Sequence, residues 1–339
     1  MSFKAGCVDR RLFGLDTRYL CPPKDINMRI PHQVLKCVGF ISHDQPKSDY
    51  LGTVFVVSLQ SEADPSGGYA HLVTAKHVAE LIDPGPFVIG MNAKDGTKLM
   101  LKSGDARWWY HPTESDSVDV AVTYFAPGMA DEYDVESIPS TIFASDSSLM
   151  QYGVGLGDEI FTVGLFTRFF GTSRFEPIVR IGNLAMMPHQ RIPLKGFGEA
   201  EGYLVEGRSI GGLSGSPVFV RNTVYMPGRT AEGEEVQLAG TGSRIQLLGL
   251  MHGHWDLPMK FKKAEQEEAV NMGVAIVIPA KKILETLHHP ELVQMRKEMD
   301  EKTRDSNLPA ADAASPKKPF TKVDFETTLK KVSRKIQPK

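Results

Sequence analysis

Three short segments of the chain contain residue types that could perform nucleophilic catalysis together. His77 follows an apolar run in HLVTAKHV, Asp119 lies within SVDVAVTY, and Ser214 lies between Gly212 and Gly215 in IGGLSGSPVFV. A serine hydroxyl is a weak nucleophile unless a nearby base takes its proton, and histidine is the usual base. A carboxylate can orient that histidine. The combination is that of a nucleophile, a base and a carboxylate that orients the base.

Each residue also has an ordinary structural interpretation when it is considered by itself. The chain contains 10 histidines, most of which must serve packing or solubility. Asp119 could face water from an edge strand, and Asp116 is a rival carboxylate three residues earlier. The segment around Ser214 could be a plain Gly/Ser turn. The glycines there favour function, because they permit positive φ and bring backbone N–H groups to a developing negative charge.

The elements that must position these residues are predominantly β-strands. Short runs rich in Val, Ile, Phe and Leu, bounded by turn residues, are typical of strands. Many strands with few helices between them predict an all-β fold of barrels or sandwiches, not a parallel α/β sheet. The predicted strands are Gln33–Ile41, Gly52–Leu59, Ala70–Ala75, Phe87–Met91, Val118–Tyr124, Glu159–Leu165, Ile178–Ala185, Ser216–Val220, Ile245–Met251 and Gly273–Pro279.

The C-terminal part has a different pattern. Helical periodicity covers 280–299, with Pro290 expected to break or restart the helix. Residues 300–319 are polar and rich in Ala, Ser and Pro, which indicates a flexible linker. The basic tail beyond it could be a solvated tail, or a helix that docks on a partner. Such a helix would place four apolar residues on one face: Phe325, Leu329, Val332 and Ile336.

The composition of the chain limits the classes of partner and the cellular compartment that can be expected for it. Lys and Arg number 39 against 41 Asp and Glu, so the net charge of -2 predicts no nucleic-acid partner. No apolar run is long enough to predict a membrane span or a signal peptide. The three cysteines, Cys7, Cys21 and Cys37, lack the spacing of a disulfide or zinc framework. We therefore predict a reducing, cytoplasmic setting and no membrane association.

The three motifs together resemble those of a known family. TAKHV, DVAV and GLSGSP are similar to the histidine, aspartate and serine motifs of trypsin-like (chymotrypsin-fold) serine peptidases. The bacterial HtrA-type and glutamyl endopeptidase groups look most similar. The resemblance covers roughly 33–287 and implies two six-stranded antiparallel β-barrels with a C-terminal helix. The expected organisation is an N-terminal extension (1–30), a first barrel (31–150), a second barrel (151–287), and a helix, linker and tail (288–339).

The resemblance also implies roles for individual residues. His77, Asp119 and Ser214 correspond to the catalytic residues, and the N–H groups of Gly212 and Ser214 to the oxyanion hole. The implied substrate is a protein or peptide, with no cofactor and no metal ion. Leu213 departs from the family because an Asp or Asn usually precedes the serine, so activation by a freed N-terminus is not expected. Lys76 stands where a small residue often precedes the histidine.

Specificity is inferred from the same resemblance. Arg208, six residues before Ser214, matches the base of the pocket that holds the substrate side chain preceding the cleaved bond, and Ser209 follows it. A cation there would favour an acidic side chain. Met251 matches the position of a pocket histidine in glutamate-preferring relatives, with His252 and His254 nearby. We accordingly predict substrate binding by these five residues.

Two other functions fit the same sequence. A protease fold without catalysis could bind peptides as an added strand, and Leu213 is the feature in its favour. A metal-dependent hydrolase could use His252 and His254, which are two apart and would share one face of a strand. Two histidines without a third ligand are weak support for zinc.

Overall fold

The computed structural model describes residues 30–46, 48–64, 67–104, 106–126, 132–194, 196–207, 212–222, 226–229, 235–238, 245–260 and 267–307. The predictions for the N-terminal extension and the basic tail concern residues outside these ranges, apart from Ile30, and so do those for Arg208 and Ser209. The described residues form a mostly β structure with helices at its C-terminal end, as predicted.

The N-terminal half contains an eight-stranded sheet. Its strands pair in the order β5-β4-β1-β2-β3-β7-β6, with β8 parallel to β2. The resemblance implies a six-stranded antiparallel barrel here, and the described sheet has eight strands, with β5 and the two-residue β6 as its edge strands. The bounds are β1 (Val38–His43), β2 (Tyr50–Gln60), β3 (Gly68–Thr74), β4 (Phe87–Asn92), β5 (Lys98–Lys102), β6 (Trp109–Tyr110), β7 (Ala121–Tyr124) and β8 (Ile138–Pro139).

The C-terminal half contains the closed six-stranded barrel that the sequence predicts. Its strands follow one another in the order β10-β13-β18-β17-β14-β9, and every pair is antiparallel. Two small hairpins, β11-β12 and β15-β16, accompany it. The bounds are β9 (Glu159–Gly164), β10 (Ile178–Met186), β11 (Ile192–Leu194), β12 (Gly198–Ala200), β13 (Tyr203–Glu206), β14 (Pro217–Arg221), β15 (Met226–Arg229), β16 (Glu235–Leu238), β17 (Ile245–Lys260) and β18 (Glu267–Pro279).

Helices are short except at the C-terminal end. They are α1 (His32–Leu35), α2 (Lys76–Glu80), a 3-10 turn (Ser140–Ile142), α3 (Asp146–Gln151), α4 (Ala280–Leu287) and α5 (Pro290–Asn307). The break between α4 and α5 falls at Pro290, as predicted, because proline is tolerated in the first turn of a helix but not in its interior. None of the helices in the described ranges combines the length and apolarity needed to cross a bilayer.

Two local predictions were wrong. The predicted strand Gln33–Ile41 begins with the helical turn α1, and β1 starts at Val38. The predicted linker from 300 onward is helical as far as Asn307. The second error has a tertiary cause, since Asp300 is held by the sheet: its carboxylate accepts hydrogen bonds from the hydroxyls of Tyr69 (2.5 Å) and Ser61 (2.6 Å).

An aromatic cluster joins the two halves. Phe40 and Tyr50 of the sheet make edge-on contacts with Phe175, at 5.3 and 5.6 Å between ring centroids, and Tyr50 contacts Phe170 at 4.9 Å. The ammonium group of Lys98 lies 4.9 Å from the centroids of both Phe170 and Phe175. Because these rings come from the sheet and from the loop after β9, their packing fixes the two halves against each other.

Helix α5 packs on β3 through a buried histidine. His71 is 0% exposed, its Nδ1 lies 3.2 Å from the Tyr69 carbonyl, and its Nε2 lies 3.3 Å from Nη1 of Arg296. The carbonyl is an acceptor and the guanidinium a donor, so Nδ1 carries the proton of a neutral ring. Burial, together with the charge of Arg296, lowers the pKa of His71 to about 4.

His71 should make stability depend on pH. Its unfolded-state pKa is about 6.5, so between about pH 6.5 and 4 the unfolded chain binds a proton that the folded chain does not. We expect the free energy of unfolding to fall by about 1–2 kcal/mol from pH 7 to pH 5, measured by urea titration. The His71→Gln variant should lose this dependence, whereas His189→Gln, at an exposed position, should keep it. An unchanged dependence in His71→Gln would contradict the assignment.

Candidate active site

His77 and Asp119 are joined by two hydrogen bonds. His77 lies in the first turn of α2, where backbone N–H groups lack intrahelical acceptors. Its N–H donates to Oδ1 of Asp119 at 2.9 Å, and its ring Nδ1–H donates to Oδ2 at 2.8 Å. Asp119 lies two residues before β7 and is 0% exposed, while the His77 side chain is 34% exposed. The pair therefore orients an accessible imidazole with Nε2 free of the carboxylate.

The Asp119 carboxylate stays ionised. Burial by itself would raise its pKa, but hydrogen bonds from His252 and His77, with the charges these rings carry when protonated, hold that pKa well below its usual range. A buried carboxylate without such donors would cost several kcal/mol. Asp116, the rival carboxylate, is exposed, and its described side-chain contact is with Ser115.

Ser214 lies in the turn before β14. Gly212 and Gly215 have φ of 96° and 82°, in the left-handed region, and a Cβ on Gly215 would lie 2.2 Å from the Thr53 carbonyl oxygen. Within the described residues the N–H groups of Gly212 and Ser214 donate no hydrogen bond, so both remain available to a ligand. Leu213 between them is fully buried and packs in the barrel core.

Thr53 of β2 holds this turn against the sheet, a role that the sequence did not suggest. Its N–H donates to the Ser214 carbonyl (3.0 Å), and its hydroxyl donates to the Gly212 carbonyl (2.9 Å). The same hydroxyl accepts the N–H of Leu165 (2.9 Å), and its carbonyl accepts the hydroxyl of Thr74 (2.8 Å). Thr53 is 0% exposed. A single buried threonine thus connects the strand before α2 with the turn that carries Ser214.

His252 contacts all three of the residues His77, Asp119 and Ser214. Its Nδ1–H donates to Oδ2 of Asp119 at 2.5 Å, and its carbonyl accepts the Ser214 hydroxyl at 3.1 Å. Its ring lies edge-on to His77, with 5.4 Å between centroids. His252 is the extra residue of a β-bulge, because Met251 pairs with Val277 and Gly253 with Ile276. In this conformation the Ser214 hydroxyl is therefore bonded to His252, not to His77.

Three of the residues predicted to bind substrate, Met251, His252 and His254, lie on β17. Met251 is 2% exposed and packs in the barrel core, where it also borders a small cavity together with Gly207 and Leu213. His252 was expected in the same role, but its ring binds Asp119. His254 pairs with Ala275 on β18. In a regular strand, His252 and His254 would lie on one face and could both bind a metal ion. β17 has a bulge on either side of the 253–254 pair, so the alternation of side chains between its two faces is broken.

Lys76 is drawn away from the imidazole that follows it in the chain. Its ammonium group donates to the Ser115 carbonyl (2.7 Å) and lies 3.5 Å from the Glu80 carboxylate. It also lies over the ring of Tyr110, 5.3 Å from the centroid. These contacts attach α2 to the loop that leads to Asp119.

Two groups of side chains in the described part of the chain have the composition of a metal site. His77, Asp119 and His252 bring three donor atoms within 4.8 Å of one another. His111, Glu114 and Glu285 do the same, but Lys282 already binds both carboxylates, at 2.7 and 2.9 Å. The second group is thus a salt-bridge network that ties α4 to the loop before Asp119.

A cavity of about 400 Å³ lies beside the Ser214 turn. Thr167 forms part of its wall, and its methyl group packs against Gly212. The cavity combines aromatic rings with one cationic and one anionic side chain, so it could accommodate a substrate side chain. Its lining residues are Ser48, Asp49, Tyr50, Thr167, Arg168 and Phe170.

No protein-family model matches the chain, and no curated protein does so. Among solved structures, it is similar to the MamO protease domain from Magnetospirillum magneticum in its apo form. The identity is 12% and the TM-score 0.46, over 75% of this chain and 97% of that one. Deg5 is 14% identical with a TM-score of 0.41, over 74% and 87%. An inactive serine-to-alanine mutant of Rv3671c from M. tuberculosis H37Rv is 15% identical with a TM-score of 0.39, over 75% and 87%.

These neighbours are trypsin-like serine protease domains of the HtrA or Deg type, which is the resemblance that the sequence motifs predicted.

Replacing Thr53 by valine should destabilise the protein. The change leaves the buried Leu165 N–H and Gly212 carbonyl without their partner, which we expect to cost about 2–3 kcal/mol in the free energy of unfolding, measured by urea titration. Thr123 provides a matched control, since it is equally buried and its hydroxyl has no hydrogen-bond partner. Thr123→Val should be close to neutral. Equal costs for the two variants would show that the Thr53 hydrogen bonds contribute nothing specific.

Proposed function

We propose that the protein is a serine endopeptidase that hydrolyses peptide bonds through His77, Asp119 and Ser214. The observation that carries the proposal is the paired hydrogen bonding of His77 to a fully buried, ionised Asp119. This arrangement holds the proton on Nδ1 of His77 and leaves Nε2 as the base. The bond from Ser214 to the His252 carbonyl keeps the hydroxyl within the same group of residues.

The reaction begins when the Ser214 hydroxyl leaves the His252 carbonyl and turns toward Nε2 of His77. The hydroxyl proton passes to Nε2 as Oγ attacks the substrate carbonyl, and Asp119 stabilises the imidazolium that results. The free N–H groups of Gly212 and Ser214 receive the charge on the substrate oxygen. His77 then returns the proton to the leaving amine, and water hydrolyses the acyl-enzyme by the same steps.

A protein or peptide is the substrate class proposed. The cavity beside Gly212 is large enough for a side chain of a peptide, and its walls combine aromatic rings with charged side chains. A preference for an acidic side chain, based on Arg208, remains a prediction from the sequence.

The second candidate is a peptide-binding domain without catalysis. The observation in its favour is the Ser214 hydroxyl, which is bonded to His252 and not to His77. Under this alternative the same groove would hold a peptide, and loss of the Ser214 hydroxyl would leave function intact.

Labelling with a fluorophosphonate distinguishes the two. We expect covalent modification at Ser214, located by peptide mass mapping, because an ordinary serine does not react. His77→Ala should slow labelling on the order of 10²–10⁴-fold through loss of the general base. Asp119→Asn should have an effect of similar size, because it would permit the wrong histidine tautomer.

Ser214→Ala is the negative control, and Ser216→Ala is the matched positive control. Ser216 is buried two residues away and its hydroxyl has no partner, so its loss should leave labelling unchanged. A folded wild-type protein that is not labelled would favour the peptide-binding alternative.

A further inference from the structure

The group around Asp119 contains a second imidazole that acyl transfer does not need. His77 and His252 both direct Nδ1 at one oxygen of the carboxylate, at 2.8 and 2.5 Å. One imidazole is sufficient to work as the base for Ser214. The second changes what else the carboxylate can bind.

Two imidazole nitrogens and one carboxylate oxygen form a donor set that suits a divalent transition metal, Zn²⁺ above all. The three donor atoms lie within 4.8 Å of one another. Zinc bonds of about 2.0–2.1 Å in a tetrahedron separate ligand atoms by about 3.3 Å. The His77 and His252 nitrogens lie 2.8 and 2.5 Å from the carboxylate oxygen, so they would have to move away from it by about 0.5 and about 0.8 Å, and both rings would have to turn.

The electrostatics of this group favour a cation more than those of the second cluster do. No lysine or arginine of the described residues binds Asp119, so its charge is balanced by hydrogen-bond donors alone. At His111, Glu114 and Glu285, the ammonium group of Lys282 already provides the cation. The His77 side chain, at 34% exposed, opens the first group to solvent, whereas His252 is 12% exposed.

We propose that His77, Asp119 and His252 form a binding site for a divalent transition-metal ion such as Zn²⁺, and that the bound ion inhibits the peptidase. Binding needs no net loss of protons, because each neutral ring moves its proton from Nδ1 to Nε2 as Nδ1 coordinates the metal. Nε2 of His77 then carries a proton and can no longer accept the one from Ser214. The inhibition, but not the binding, rests on the proposed function.

Direct binding should be measured on the Ser214→Ala variant, so that catalysis plays no part. Isothermal titration with Zn²⁺ should give one site per chain, and Co²⁺ should produce visible absorption that Zn²⁺ abolishes. His252→Ser in the same background should weaken binding by at least about tenfold, since even outer-shell partners of a metal ligand cost that much. His189→Ser, at an exposed position outside the group, should bind as before.

Inhibition is tested on the protein with Ser214 intact. Zn²⁺ should slow fluorophosphonate labelling, a chelator should restore it, and His252→Ser should need at least about tenfold more Zn²⁺ for the same effect. His252→Asn, which keeps a nitrogen donor toward Asp119, serves if the serine variant does not fold, as judged by its thermal unfolding.

Absence of a stoichiometric site in Ser214→Ala, or full binding by both His252 variants, would overturn the site. Faster substrate hydrolysis with Zn²⁺ would overturn the inhibition. A wild-type protein that binds Zn²⁺ but is never labelled would leave the metal site standing and refute the peptidase.

Discussion

The buried charge of Asp119 is the constraint on which the arrangement of the site depends. A carboxylate with no exposure to water must receive hydrogen bonds from the protein, and here the donors come from both halves of the fold: two from His77 beside the N-terminal sheet and one from His252 on the barrel strand β17. Separation of the halves would remove the His252 donor, which is one of the three hydrogen bonds that the carboxylate receives. The interaction that orients the proposed base thus also joins the two halves.

Two further contacts keep the halves in register. Thr53 binds the backbone on both sides of the Ser214 turn, and the ring cluster of Phe40, Tyr50 and Phe175 closes another part of the interface. The hydrogen bonds of Thr53 set the direction of the backbone in the Ser214 turn. The aromatic rings contribute buried apolar surface between the two halves. The position of Ser214 relative to His77 is therefore a property of the interface and not of either half by itself.

His252 gives the site more than one chemical option. Its carbonyl holds the Ser214 hydroxyl and its ring holds Asp119, so a movement of this one residue affects both nucleophile and carboxylate. The proposed peptide hydrolysis and the proposed metal binding both use Asp119 and the two imidazole rings. They require opposite tautomers of the His77 ring.

The sequence by itself determined the strand-rich class, the helix break at Pro290 and the three motifs around His77, Asp119 and Ser214, and the resemblance of those motifs to a known family implied the second barrel. These features depend on local patterns: short apolar runs, a proline, and glycines that permit positive φ. Only the tertiary structure decided that Thr53 holds the turn and that α5 continues past Asp300, whose carboxylate binds Tyr69. It also decided that Met251 is core and that His252 faces the carboxylate. These outcomes depend on β-bulges and on contacts between residues far apart in the chain, which spacing along a sequence does not encode.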